Sequence, residues 1–153
     1  KKESIIFYFA GDDKKKSYLN KFKKKINEKK LNSQCRILGH LNRDELKMAY
    51  NCSNLVISAP LQPEGFGRTI SESLSMGKII LAYNFGGAKD QLDSLDGIYK
   101  IKNTKEMISR IRVVLKLDEN HIVNLGSFAR KYVISQYSKE HMQNSYLNFY
   151  QKV

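Results

Sequence analysis

Apolar residues in this chain come in short runs, and the spacing between runs alternates between strand and helix periods. Ile5–Ala10 is a continuous apolar run closed by Gly11, the pattern of a buried strand. From Ser17 to Leu31 the apolar positions Tyr18, Leu19, Phe22, Ile26 and Leu31 recur at helical spacing with lysines between them. Cys35–Leu38 reads as a second strand, closed by Gly39. In LNRDEL, Asn42 and Glu45 have capping-box spacing and Leu41 and Leu46 that of a hydrophobic staple, so a short helix is expected over Arg43–Tyr50. Leu55–Ser58 gives a third strand, Ile70–Met76 a helix stopped by Gly77, and Lys78–Tyr83 a fourth strand. NFGGAKD is a loop entering a short helix, and Gly97–Ile101 is a last strand. Helices are expected over Lys105–Leu117 and Ile122–Gln136, then an amphipathic terminal helix, Lys139–Tyr150, showing Met142, Tyr146, Leu147 and Tyr150.

Short apolar strands separated by helices predict an α/β fold with a parallel sheet covered on both faces. Ligands in such folds bind beyond the carboxyl ends of the strands. Glycine-bearing loops lie at those ends: Gly11, Gly39, Gly65 with Gly67, and Gly86 with Gly87.

The length of 153 residues fits one domain with a sizeable core, and 41% hydrophobic residues exclude a disordered chain. No apolar run approaches the ~20 residues of a spanning helix. Ile5–Ala10 is also too short for a signal-peptide core. Cys35 and Cys52 form no disulfide framework and read as small buried hydrophobes in an intracellular-looking sequence. The net charge of +12 is concentrated in Lys14–Lys16, Lys23–Lys25 and Lys29–Lys30, a field that favours anionic partners without naming one.

The chemistry concentrates in SAPLQPEGFGRTISESLSMGK, residues 58–78. Gly65 and Gly67 let backbone approach a ligand closely. A helix starting near Thr69 would turn its free N–H groups toward the same loop, an anion site suited to a diphosphate. Arg68 could add a fork of donors. Glu64 could reach a ligand's hydroxyls, and Glu72, one turn into the helix, could accept both hydroxyls of a ribose. The other reading is structural. Thr69 and Glu72 have T-x-x-E capping-box spacing, so Glu72 could instead satisfy donors at its own helix start while the glycines only shape a turn. Residue spacing leaves both readings open.

Other catalytic patterns are missing. There is no G-x-G-x-x-G, no phosphate-loop GxxxxGK[ST] and no G-x-S-x-G elbow. His40, His121 and His141 lack ligand spacing, which argues against zinc. His121 and His141 read as surface residues, whereas His40 follows a strand end where a ligand could come near. Asp12 and Asp13, beside Lys14–Lys16, read as a solvated turn.

The stretch Leu55–Gly87, LVISAPLQPEGFGRTISESLSMGKIILAYNFGG, resembles the core motif of family 4 glycosyltransferases in their carboxyl-terminal, nucleotide-sugar-binding domain. The resemblance runs in register from about Ile5 to Tyr150. Its most specific part is the E-x7-E pair, Glu64 and Glu72, with GFG between and SMGK after; Pro63–Arg68 is similar to members that build lipopolysaccharide and other envelope glycans. The fold it implies is the Rossmann-like C-terminal lobe of a two-lobed GT-B glycosyltransferase, residues 1–153 being the donor domain. By this resemblance Glu72 holds the ribose hydroxyls, and Glu64 is catalytic, stabilising charge at the anomeric carbon. Gly65, Phe66 and Gly67 offer backbone to the sugar or diphosphate, and Arg68 and Thr69 stand at the phosphate end. Gly39, His40 and Leu41 form the base-contacting loop, with Arg43 nearby, and Gly86 and Gly87 flank the cleft. Transfer with retention and without a metal or other cofactor is implied, the donor substrate being a nucleotide-diphosphate sugar.

Departures qualify what is expected. The acceptor lobe is missing, as is the strand before Ile5 whose arginine and lysine clamp the diphosphate in the family. Lys1, Lys2 and Lys14–Lys16 do not replace them in register, Asp90 stands where the family usually has glutamate, and Ser94–Lys100 is compact beside the family's D-G-x-x-G turn. Sugar transfer by these residues alone is therefore not expected, since a dry cleft needs closure by a second lobe. The terminal helix resembles the segment that packs back toward that lobe. The expected partners are a nucleotide sugar, the acceptor lobe and an anionic membrane surface, with a cytoplasmic location at the inner face of the membrane. The alternatives are a truncated or degenerate non-catalytic domain and a basic nucleic-acid-binding domain. The second is disfavoured because no helix-turn-helix, OB or RRM signature accompanies the lysines.

Overall fold

Strand and helix alternate along the chain in a computed structural model that describes residues 5–11, 16–95 and 99–151. The readings placed on Lys1, Lys2, Asp12, Asp13, Lys14, Lys15 and Gly97 lie outside the described residues. Two units, Lys1–Met48 and Ala49–Val153, form the chain and are taken in turn.

In the first unit β1 (Phe7–Ala10) pairs in parallel with β2 (Cys35–Gly39), with a register shift between Phe9 and Ala10. The helix between them, α1 (Lys16–Glu28), presses Phe22 edge-on against Phe9, with ring centroids 4.7 Å apart. Its end is closed by Lys30 in the left-handed region, φ 56°, with the Leu31 N–H bonded back to the Ile26 carbonyl at 2.9 Å. α2 (Arg43–Cys52), whose residues from Ala49 onward belong to the second unit, opens with a reciprocal capping box. Asn42 Oδ1 accepts from the N–H groups of Asp44 and Glu45 at 3.0 Å each, and Glu45 accepts from the Asn42 N–H at 2.7 Å.

Two expectations change here. β1 is exposed along its length rather than buried, because β2 is its one strand partner among the described residues and α1 covers it mainly through Phe22. Cys35 is half-buried and Cys52, the last residue of α2, is exposed, so neither is a core hydrophobe.

The second unit holds the core. β3 (Val56–Ser58), β4 (Ile80–Tyr83) and β5 (Lys100–Ile101) pair in parallel with β4 in the middle. Ile80, Leu81 and Ala82 are all buried, which accounts for the unbroken apolar run: a central strand covered on both faces has no polar side. Against it pack α3 (Arg68–Ser75), α4 (Gly87–Leu92), α5 (Thr104–Val114) and α6 (Glu119–Tyr137), through Ile70, Leu74, Leu92, Met107, Val114, Ala129 and Val133. Burying a Leu or Ile side chain contributes roughly 1.5–3 kcal/mol, so this cluster carries most of the unit's stability.

Helix starts are set locally. Asn103 caps α5 by accepting from the Glu106 N–H at 3.0 Å, and Asp118 caps α6 by accepting from the His121 N–H at 2.9 Å. That bond and the His121 ring hold the Asp118 carboxyl below the usual carboxylate range. The last helix, α7 (Lys139–Tyr150), starts on the Ser138 hydroxyl and buries none of its residues. No helix among the described residues is long and apolar enough to cross a membrane.

Candidate functional site

The stretch after β3 and the stretch after β4 meet through their backbones. The Gly87 N–H donates to the Glu64 carbonyl at 2.9 Å. A Cβ on Gly87 would lie 2.5 Å from the carbonyl oxygens of both Gly65 and Phe66, and one on Gly86 would lie 2.6 Å from that of Glu64. The pair Gly86–Gly87 is thus required by close approach: any side chain would part the two loops. Gln91 on α4, only 1% exposed, completes the junction by donating its amide to the Phe66 carbonyl and, at 3.4 Å, to that of Gly67. Its Oε1 is buried without a protein partner. From the other side the Phe66 ring meets Tyr137 edge-on at 5.7 Å, and the Tyr137 hydroxyl donates to the Asp90 carbonyl at 3.2 Å. Burial, then Tyr132, Asp90 and Asp93, push the Tyr137 phenol up.

Gly67 ends this loop in the left-handed region, φ 79°, and serves as N-cap of α3 without any side-chain cap. α3 begins at Arg68, earlier than the expected Ile70–Met76, and this removes the capping-box reading of Glu72. Thr69 lies inside the helix rather than at its N-cap, so T-x-x-E is not a capping box here. Glu72 is instead held by tertiary structure: its Oε2 accepts from the Tyr50 hydroxyl at 3.1 Å. Burial, and then the Glu72 charge, raise the Tyr50 pKa far above its ordinary value, against an opposing hydrogen bond from Thr69.

The second unit therefore brings together Glu64, Gly65, Phe66, Gly67, Arg68, Thr69, Glu72, Gly86 and Gly87. Glu64, Phe66 and Arg68 are exposed, Thr69 and Glu72 are half-buried, and Gly67 and Gly87 are buried. What they form is a helix start with no side-chain cap beside an exposed cation, one exposed carboxylate before it and one hydrogen-bonded carboxylate behind it. Open N–H groups and the helix dipole favour an anion there, while the carboxylates can accept only from hydroxyl or N–H donors. Gly39, His40 and Leu41 belong to the first unit, where Gly39 closes β2, His40 is exposed and Leu41 is half-buried. His121 and His141 are exposed, in line with their reading as surface residues. Three supporting residues escaped the sequence reading: Tyr50, Gln91 and Tyr137. The partners of Tyr50 and Gln91 lie 22 and 25 positions away, outside any local pattern.

This fold defines a class, the carboxyl-terminal domains of GT-B glycosyltransferases. The chain belongs to the family described as glycosyl transferases group 1, whose profile matches residues 1–132. A glycosyltransferase from Rickettsia africae ESF-5 is similar in structure, with TM-score 0.86 and 27% identity, over 99% of this chain and 41% of that one. HepE from Anabaena, in complex with UDP and glucose, superposes with TM-score 0.84 at 18% identity over 97% of this chain and 41% of its own. The catalytic domain of starch synthase IV from Arabidopsis thaliana, bound to ADP and acarbose, gives TM-score 0.71 at 18% identity over 96% of this chain and 32% of its own. The chain thus spans about two fifths of the length of the first two of these structures. No curated protein matches it.

Proposed function

We propose that this chain is the donor-binding half of a family 4 glycosyltransferase. In this reading the parent enzyme moves a hexosyl-type sugar from a nucleotide-diphosphate sugar to an envelope glycan, such as lipopolysaccharide, or to a lipid acceptor. The observation that carries the reading is the pairing of an uncapped α3 N-terminus with a carboxylate, Glu72, fixed by Tyr50 one turn further on. A diphosphate suits the first and a ribose diol the second. UDP in the HepE structure and ADP in the starch synthase structure are ligands of that chemistry in similarly folded proteins.

In the reaction the bond from the anomeric carbon to the diphosphate breaks, a bond to the oxygen of an acceptor hydroxyl forms, and the nucleoside diphosphate leaves, taking up the hydroxyl proton. Arg68 and the α3 N–H groups would take up charge on the leaving diphosphate, so that no metal is required. Glu64 would face the donor sugar and stabilise positive charge at the anomeric carbon, and transfer would keep the anomeric configuration, the acceptor attacking from the face the diphosphate leaves. Gly65, Phe66 and Gly67 would line the sugar and diphosphate, and Gly86 and Gly87 would flank the cleft. An acceptor lobe, from the same parent chain or another, would complete the enzyme and cover α7; alone, the chain would bind donor without transferring it. The lysines of α1 would hold the protein against anionic lipid at the cytoplasmic face of a membrane.

Calorimetric titration with UDP, ADP, GDP and their sugar conjugates tests this reading. The expected result is saturable binding of one nucleotide family, lost in Glu72→Ala. Absence of binding at millimolar ligand would overturn it and leave a non-catalytic domain.

A further inference from the structure

Tyr50 is 8% exposed, stands in the last turn of α2 and donates a hydrogen bond from its hydroxyl to Glu72 Oε2 at 3.1 Å. The segment that carries it is anchored independently of the ring. Lys78 Nζ donates to the carbonyls of Asn51 at 2.8 Å and Ser53 at 3.1 Å, while the Ser53 hydroxyl donates to the Tyr50 carbonyl at 2.8 Å. A cation at the end of a helix also satisfies its last carbonyls. The phenol is thus fixed at its backbone by Lys78 and Ser53 and at its tip by Glu72.

An ionised carboxylate only accepts hydrogen bonds. With Oε2 engaged by a fixed donor, the carboxylate plane is set before any ligand arrives, and Oε1 is left to accept from one. Such ordering in advance reduces the entropy lost on binding. Burial and the Glu72 charge keep the phenol protonated, so it acts as a constant donor rather than a switch.

We propose that Tyr50 is the positioning residue for Glu72, and that this fixed geometry sets the preference for ribose over 2′-deoxyribose nucleotides. The inference rests on the reading that Glu72 receives a nucleotide's ribose hydroxyls. It adds a residue outside the E-x7-E motif, delivered by α2 and locked by Lys78.

The test is calorimetric titration of the whole chain with UDP and 2′-deoxy-UDP, and with ADP and 2′-deoxy-ADP. Wild type, Tyr50→Phe, Glu72→Ala and the double variant are compared, with thermal unfolding of each. Tyr50→Phe is expected to weaken the ribose nucleotide about tenfold, to weaken the deoxy nucleotide, which keeps only its 3′ hydroxyl, distinctly less, and to add no loss on the Glu72→Ala background. Equal weakening of ribose and deoxy forms, or a full additional loss in the double variant, would make Tyr50 merely structural and overturn the proposal. If Tyr50→Phe does not fold, Lys78→Met, which releases the end of α2 without touching the ring, must erode the same ribose preference or the proposal falls. Should Glu72→Ala bind as wild type does, the assignment of Glu72 itself fails. A wild type that binds Tyr50-independently with Glu72 still essential overturns only the role of Tyr50.

Discussion

Glycine follows a strand in both units of this protein, yet the reasons differ. At Gly11 and Gly39 of the first unit an added Cβ would meet nothing within 4 Å. At Gly86 and Gly87 of the second it would collide with carbonyl oxygens of the facing loop at 2.6 and 2.5 Å. One glycine pattern therefore serves an open turn in one place and a backbone junction in the other. The junction fixes the backbone at Glu64 while Tyr50 holds Glu72, so the second unit carries the built part of the site.

The largest effect expected is from Gly87→Ala. The new methyl has backbone on two sides and no flexible side chain to displace, so overpacking should cost about 3 kcal/mol. Thermal unfolding should move down and nucleotide binding should vanish together. A Gly87→Ala protein as stable as wild type would mean that the two loops are not locked, and the contrast between the units would collapse.

Next comes Tyr50→Phe, expected to cost about 1–2 kcal/mol because it leaves a half-buried carboxylate without its donor. Its pH dependence has a definite sign. The folded-state phenol pKa is raised from the ordinary 10.0, so the folded protein keeps a proton that the unfolded chain gives up. The contribution is complete below pH 10 and is lost as the pH rises toward the folded value. The stability gap between wild type and Tyr50→Phe should therefore be flat through neutral pH and narrow above pH 10, as denaturant unfolding at each pH would report. A gap that widens above pH 10 would contradict the bond to Glu72.

These two positions also mark what the sequence could and could not reveal. The Asn42–Glu45 capping box, the β4 run and the glycine stops were legible because each depends on residues within a turn or a strand of one another. The same local grammar misled at Thr69–Glu72, where the spacing of a capping box occurs inside a helix whose cap is Gly67. Tyr50 and Gln91 were illegible because their roles exist only once β3 and β4 are paired and α3 and α4 stand beside each other. The depth of β1 was misjudged because burial depends on how many neighbours a strand has, which its own apolar run does not specify. The E-x7-E resemblance singles out residues that lie near one another in the second unit, but it could not name Tyr50 and Gln91, which hold Glu72 and the Phe66 carbonyl.

In the first unit Gly39→Ala should cost only about 1 kcal/mol, the penalty of placing a side chain at φ 71° with free space around it. The cost should appear in amide exchange of β1 and β2 and leave the core of the second unit unchanged. A loss as large as that of Gly87→Ala would show that the open turn is as constrained as the junction.

Gly65 gives the smallest expected change in stability and the sharpest reading of the site. It has no positive φ, and a Cβ there would meet nothing within 4 Å, so neither conformation nor packing of this chain demands glycine. It nevertheless sits between Glu64 and Phe66 in the loop that closes on Gly87. On the proposed function the donor sugar or its diphosphate approaches it, and bare backbone admits that approach. Gly65→Ala should therefore unfold within about 0.5 kcal/mol of wild type while binding the nucleotide sugar at least tenfold more weakly than the nucleotide alone would predict. Comparing UDP with UDP-glucose, and ADP with ADP-glucose, separates the two contributions. If the alanine variant binds the sugar conjugate as well as wild type does, the ligand does not pass over Gly65, and the donor sugar must lie on another side of Glu64.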